Sequence, residues 1–247
     1  MKNSDVDIFG LLFLRKGKKA TYKLISKALD GKGAIKIFTP NAEILYRAKT
    51  SPHLRAMLNE ADLLLPDGVG IIAASRILKK PLPCRITGID TSEFILSEAE
   101  KKGLSVYLLG GNQGVALMAA ESIKARFPKL IISGAHHGYF TLEEEKNKLI
   151  SHISAQKPHI LFVCLGFPAQ ERFIVENAYK IPSLRLSIGL GGSLDVWSGR
   201  VRRAPSVMQK AGLEWLYRIV SQPRRITRLP YLLGFCSAVL KEKWLSH

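Results

Sequence analysis

Leu63-Leu64-Leu65-Pro66-Asp67-Gly68-Val69-Gly70 decides how this chain is read. An apolar run of strand character stops at Pro-Asp-Gly, and an apolar helical pattern follows from Ile71 to Leu78. Such a junction carries a carboxylate to the carboxyl end of a buried strand, where open α/β sheets bind ligands. Asp-Gly alone is ordinary turn chemistry. Two further strand ends change its meaning. Ile35-Lys36-Ile37-Phe38 runs into Thr39-Pro40-Asn41, and the apolar run 160–166 ends just before Pro168-Ala169-Gln170-Glu171. Three strands thus deliver polar groups to one sheet edge, which makes Asp67, Thr39, Asn41 and Gln170 the candidate site.

Apolar runs alternate with amphipathic stretches along the chain. Strands are expected at 35–39, 63–66, 105–109, 130–134, 160–165 and 186–190, and helices at 41–48, 52–60, 68–78, 91–102, 115–126, 141–154 and 170–178. Thr141 with Glu144 three residues on reads as a capping box. This alternation predicts βαβ units: an α/β fold with a Rossmann-like, mostly parallel sheet flanked by helices. The pattern changes after Gly199. Residues 200–247 carry ten Lys/Arg against Glu214 and Glu242, nearly half of the chain's surplus positive charge in about a fifth of its length. Helical spacing of Leu213, Leu216, Tyr217 and Val220 predicts a basic amphipathic helix, with another expected around 223–233. The expected organisation is an α/β core, 1–199, and a basic helical C-terminal appendage, 200–247.

Length allows one substantial core. The net charge of +17 implies an anionic partner: nucleic acid, an anionic membrane or a phosphorylated substrate. Cys84, Cys164 and Cys236 are scattered, as in proteins of a reducing compartment. Lys2, Asp5 and Asp7 interrupt any early apolar run, so no secretory leader is expected. The apolar stretch 229–240 falls short of the roughly 18–20 residues that span a bilayer and contains Pro230 and Gly234.

Ser105-Val106-Tyr107-Leu108-Leu109-Gly110-Gly111-Asn112-Gln113-Gly114 reads as strand, glycine-rich turn and helix start. Backbone amides in such a turn can face a diphosphate, and Gly110 and Gly111 are candidates for it; an ordinary tight βα turn explains them equally well. The dinucleotide fingerprint is missing, and Phe127-Pro128-Lys129 stands where its acidic ribose partner would be, which argues against an NAD enzyme. Asp195, after Gly191-Gly192-Ser193-Leu194, could bond a ribose or base, or cap the turn. His136 and His137 are adjacent, so their side chains diverge. With no Cys/His cluster nearby, no metal site is expected.

Together these segments resemble the WecG/TagA/CpsF family of bacterial glycosyltransferases (glycosyltransferase family 26). The stretches carrying the resemblance are Thr39-Pro40-Asn41-Ala42-Glu43, Leu65-Pro66-Asp67-Gly68, Lys80-Pro81-Leu82-Pro83, Arg85-Ile86-Thr87-Gly88-Ile89-Asp90, His136-His137-Gly138-Tyr139-Phe140, Gly166-Phe167-Pro168-Ala169-Gln170-Glu171, Arg203-Ala204-Pro205 and Gly212-Leu213-Glu214-Trp215-Leu216-Tyr217-Arg218. They stand in order along the chain, and the resemblance as a whole runs from about Val6-Asp7-Ile8 to Leu229. The resemblance implies transfer of an N-acetylmannosamine-type sugar from a UDP-sugar to polyprenyl-diphosphate-linked GlcNAc at the cytoplasmic membrane face. Teichoic acid, enterobacterial common antigen or another surface glycan would be the destination. It also implies inversion at the anomeric carbon with no metal or cofactor, Asp67 as general base, and Thr39, Asn41 and Gln170 lining the same pocket. The chain departs from many members at Ala169 and Phe173, where Lys and Trp are usual, and in its basic run Arg15-Lys16-Gly17-Lys18-Lys19.

Arg218, Arg224, Arg225 and Arg228 suit a diphosphate, because guanidinium forks bind phosphate oxygens bidentately. Trp215, Leu216, Tyr217, Leu232, Leu233, Phe235 and Trp244 lie among basic residues, as on a surface resting against an anionic leaflet. The expected localisation is cytoplasmic, peripheral to the inner face of the cell membrane. The same apolar positions could equally pack on the core or in a homo-oligomer. A nucleic-acid or anionic-membrane-binding α/β protein without transferase activity is the competing reading. It lacks a recognised nucleic-acid module, and no nucleic acid is expected as partner.

Overall fold

The computed structural model describes residues 5–140 and 142–245, with the side chains of Lys210 and Arg224 outside that description. A short hairpin opens it: β1 (Val6–Ile8) pairs antiparallel with β2 (Leu11–Phe13). Phe9 and Gly10 turn it with φ of 56° and 79°, the positive angles that a two-residue turn needs to match strand twist. In chain order follow α1 (Lys18–Asp30), β3 (Ile35–Phe38), α2 (Ala42–Thr50), α3 (Pro52–Asn59), β4 (Leu63–Leu64), α4 (Val69–Ile77), α5 (Gly88–Lys102), β5 (Ser105–Gly110) and α6 (Val115–Arg126). The chain continues through β6 (Ile131–His136), α7 (Glu143–Ala155), β7 (Ile160–Cys164), α8 (Ala169–Asn177), β8 (Leu186–Gly189) and α9 (Ser193–Trp197). Three more helices, α10 (Ser206–Lys210), α11 (Glu214–Ser221) and α12 (Leu229–Leu245), complete it, with a 3₁₀ turn at Pro223–Arg228.

All six expected strands form one parallel sheet in the order β4-β3-β8-β7-β5-β6. Side-chain alternation divides each strand between two cores. Tyr107, Leu109, Leu161 and Val163 face α2, α7, α8 and α12, whereas Val106, Leu108, Ile160 and Phe162 face α1, α5, α6 and α9. Both faces are covered, which is why these strands read as continuous apolar runs.

The hairpin, α1 and the short helices α9 and α10 were not expected; the remaining differences are local. Thr141 lies outside the described residues. At α7 the carboxylate of Glu145 accepts from the Leu142 backbone N–H at 3.2 Å, and Glu143–Glu145 offset the positive helix end. The helix expected around 223–233 starts later and runs on to Leu245. Pro230 is tolerated because the first helical turn has no partner for its missing N–H. Gly234 sits where a Cβ would meet the Tyr46 ring at 2.4 Å, so α12 and α2 approach at that residue. Phe235 is buried in the core shared with α2 and meets the Phe9 ring edge-on at 6.3 Å. Phe235→Ala should therefore destabilise the whole fold by about 3–5 kcal/mol, read as a fall in urea midpoint. A midpoint within error of the parent would show that α12 is not part of the core.

Candidate active site

A cleft of about 640 Å³ lies over the carboxyl ends of β4, β3 and β8. Its wall is α4, and α11, the 3₁₀ turn and α12 form its roof. Thr39 and Asn41 reach it from the end of β3, and Asp67 from the end of β4. The Thr39 hydroxyl donates to the Gly189 carbonyl at 3.2 Å, tying β3 to β8. Asn41 caps α2, its Oδ1 accepting from the Ile44 N–H at 3.1 Å.

Asp67 Oδ2 accepts from the Gly88 backbone N–H, 3.0 Å away, at the first residue of α5. Gly88 packs closely there, since a Cβ would stand 3.0 Å from the Thr39 hydroxyl. A carboxylate at a helix N-terminus is normally easy to ionise. Burial overrides this: the Asp67 pKa is pushed up to about 6, with Glu214 adding to the rise and the Gly88 amide, Arg218 and Arg85 opposing it. A carboxyl held near 6 is charged at neutral pH yet basic enough to take a proton.

Guanidiniums cover this group. Glu214 holds Arg218 at 2.8 Å and Arg85 at 3.9 Å, and Glu43 holds Arg228 at 3.3 Å and Arg47 at 3.6 Å. Arg225 bonds to the Gln222 side chain and lies over Gly192. Burial, together with Arg228 and Arg218, lowers its pKa to about 10. Three crowded cations in one roof leave an anion as their natural complement.

The remaining candidates lie elsewhere. Gln170 is buried outside the cleft lining: its Nε2 donates to Glu171 at 2.8 Å, and its Oε1 accepts from the Gly191 N–H at 2.8 Å. It supports the loop after β8 from beneath. Gly110 and Gly111 also lie outside that lining, where β5 and β7 diverge toward opposite neighbours, the switch point at which open sheets form ligand crevices. Gly110 has a packing reason of its own, because a Cβ there would sit 2.3 Å from the Cys164 carbonyl oxygen. Asp195, on α9, caps no helix; its carboxylate lies beside Gly192, in the field of Arg225. Arg224 falls outside the described side chains. The chain's one Asp-x-Asp sequence, Asp5-Val6-Asp7, runs into the hairpin, where Asp7 Oδ1 accepts from the Gly10 N–H at 3.0 Å. Among the described residues, no group of three or more His, Cys, Asp or Glu side chains could hold a metal ion.

Arg85, Thr87, Glu43 and Glu214 belong to the site but were not singled out. Thr87 before Gly88-Ile89-Asp90 had a readable signal, an N-cap, and its Oγ1 accepts from the Asp90 N–H at 3.2 Å. The glutamates carried none, since their importance lies in holding arginines distant in sequence.

Residues 6–247 match the glycosyl transferase WecG/TagA/CpsF family. The chain belongs to this family. A Bacillus spizizenii relative is 38% identical over 214 residues, covering 87% of this chain and 81% of its own. A Bacillus subtilis relative is 35% identical over 215 residues (87% and 82%), and one from Staphylococcus aureus is 35% identical over 207 (84% and 80%). All three are named N-acetylglucosaminyldiphosphoundecaprenol N-acetyl-beta-D-mannosaminyltransferase.

Two measurements follow from the Asp67 environment. The folded pKa lies above the ordinary value of 3.8, so ionising Asp67 costs stability as pH rises through 4 to about 6. Asp67→Asn should raise Tm at pH 8, with the gain vanishing below pH 4; a lower Tm at pH 8 would contradict this burial. The kcat/KM of this glycosyltransferase should rise with pH through about 6. Arg218→Gln should move that limb upward, because Arg218 favours the ionised form; an unmoved limb would separate the limb from Asp67.

Proposed function

We propose that the chain moves an N-acetylmannosamine-type sugar from a UDP-sugar to polyprenyl-diphosphate-linked GlcNAc, inverting the anomeric carbon. The observation that carries this reading is a poised carboxylate, Asp67, facing arginines that have too few anions. In the reaction the acceptor hydroxyl oxygen bonds to the donor's anomeric carbon as the bond from that carbon to the UDP oxygen breaks. Asp67 accepts the hydroxyl proton, and the electron pair leaves with UDP. Arg225 meets the growing charge on the donor diphosphate, laid between Gly192 and the turn at Gly110 and Gly111, with Asp195 toward the ribose. Arg218 and Arg228 face the acceptor diphosphate. Fixed guanidiniums stabilise such charge without reorganising during the reaction. The donor is a substrate, and the scheme calls on no cofactor. Gln170 acts through the loop it supports rather than by touching sugar.

The relatives' names supply the acceptor class and the mannosaminyl group, and teichoic acid or a related surface glycan is the destination we infer. Among the described residues no helix is long and apolar enough to cross a membrane. The acceptor's lipid brings the reaction to the inner leaflet. There the exposed side chains of Trp215, Leu216, Val220 and Trp244 rest against the bilayer, while Phe235, Ala238 and Val239 hold α12 in the core. Each nearby Lys or Arg adds about 1 kcal/mol on an anionic leaflet. The family match does not favour a binding protein without transferase activity.

UDP release from UDP-N-acetylmannosamine, with a short-chain lipid-diphosphate-GlcNAc as acceptor, tests the reading. Release should depend on acceptor, and Asp67→Asn should lower kcat by about 10²–10⁴. Parent-like turnover in that variant would overturn the base assignment, and silence of the folded parent with a panel of UDP-sugars would overturn the function.

A further inference from the structure

The cleft does not end at its charged groups. Beyond Asp67 and Arg228 it continues as an apolar corridor between α4 and α12. Both helices begin at the polar end: α4 two residues after Asp67, α12 directly after Arg228. They run side by side. A Cβ at Gly70 would lie 3.6 Å from the Phe235 ring, and Leu78 and Glu242 share a second, smaller cavity at the far ends. On α4 the corridor is lined by Val69, Gly70, Ala73 and Ile77, a helical face kept shallow by small residues. On α12 it is lined by Leu232, Cys236, Val239 and Leu240. From Val69 to Ile77 it extends about 12 Å at 1.5 Å per residue. It is not closed, since Val69, Ile77 and Leu240 remain exposed.

We infer that this corridor holds the first isoprene units of the acceptor's polyprenyl chain. The inference rests on the proposed function, whose acceptor is, in order, sugar, diphosphate and isoprenoid. The cleft presents the same order: Asp67 with Thr39 and Asn41, then Arg218 and Arg228, then the corridor. A groove made only to rest on bilayer lipid would have no reason to begin at the base and the arginines. Its occupant is therefore the acceptor's own chain, drawn from the leaflet and laid along α4.

Cys236 reports on occupancy without any turnover. It is exposed in the corridor, Cys84 is half-buried outside it, and Cys164 is buried with its thiol pushed up to about 12. Alkylation of the full chain by N-ethylmaleimide, resolved by cysteine with mass spectrometry, would be followed with farnesyl diphosphate or inorganic diphosphate present. Farnesyl diphosphate at ten times its Kd should slow Cys236 labelling about tenfold, leaving Cys84 unaffected, whereas inorganic diphosphate should not. Equal protection by both, or by neither, would overturn the inference. So would equal protection by anionic vesicles with and without a polyprenyl phosphate, which would make the face a bilayer contact. In activity, Ala73→Trp should lower the ratio of kcat/KM for a farnesyl-linked over an ethyl-linked acceptor about tenfold; an unchanged ratio would count against the corridor. Transfer by the parent to the ethyl-linked acceptor tests the proposed function separately. Its absence with every acceptor would reject that function whatever Cys236 shows.

Discussion

The cleft is built around one half-buried carboxylate, partly desolvated by the elements that surround it. Asp67 leaves β4 after two strand residues, and Gly68, with φ of 119°, turns the chain at once into α4. The carboxylate accepts from the first amide of α5, that of Gly88. Glu214 holds Arg218 in the roof above it. The arrangement costs stability, since a partly desolvated acid with a raised pKa is ionised at neutral pH at the expense of the folded state. Such a cost is retained where a group has work to do.

The positive charge of the chain takes on meaning in the same place. A surplus of +17 read as a bulk property suggests any polyanion. In the fold, Arg218, Arg225 and Arg228 converge, and two glutamates, Glu43 and Glu214, each hold a pair of guanidiniums. Held in this way, the arginines need not reorganise when negative charge develops. Arg225 has no carboxylate bridge of this kind among the described residues and has the lowered pKa, which makes it the cation with most to gain from a diphosphate.

The sheet was legible because both of its faces are covered, so its central strands β5 and β7 are nearly unbroken apolar runs. The hairpin was not, because three-residue strands are too short to show a period. Helix α1 was hidden by its lysines, with only Thr21, Ile25 and Leu29 buried. Pro230 and Gly234 suggested a short, broken segment; one occupies the first turn and the other a close approach to Tyr46, both compatible with helix. In the site, the strand-end rule located Thr39, Asn41 and Asp67, whose side chains leave the sheet directly. Gln170 stands one residue into α8, and its direction is set by hydrogen bonds to Glu171 and Gly191 that no local pattern announces. The roof arginines were legible as charge, their bridging glutamates only through tertiary contact.

The central claim is that Asp67 is a half-buried, partly desolvated carboxyl poised to accept a proton. Titration of selectively ¹³C-labelled aspartate by NMR, with Asp67→Asn used to assign the resonance, tests it most directly in the ligand-free protein. The account predicts a midpoint at about 6 for Asp67, well above the ordinary 3.8. A midpoint near 4 would mean a solvated turn aspartate, and would contradict the account.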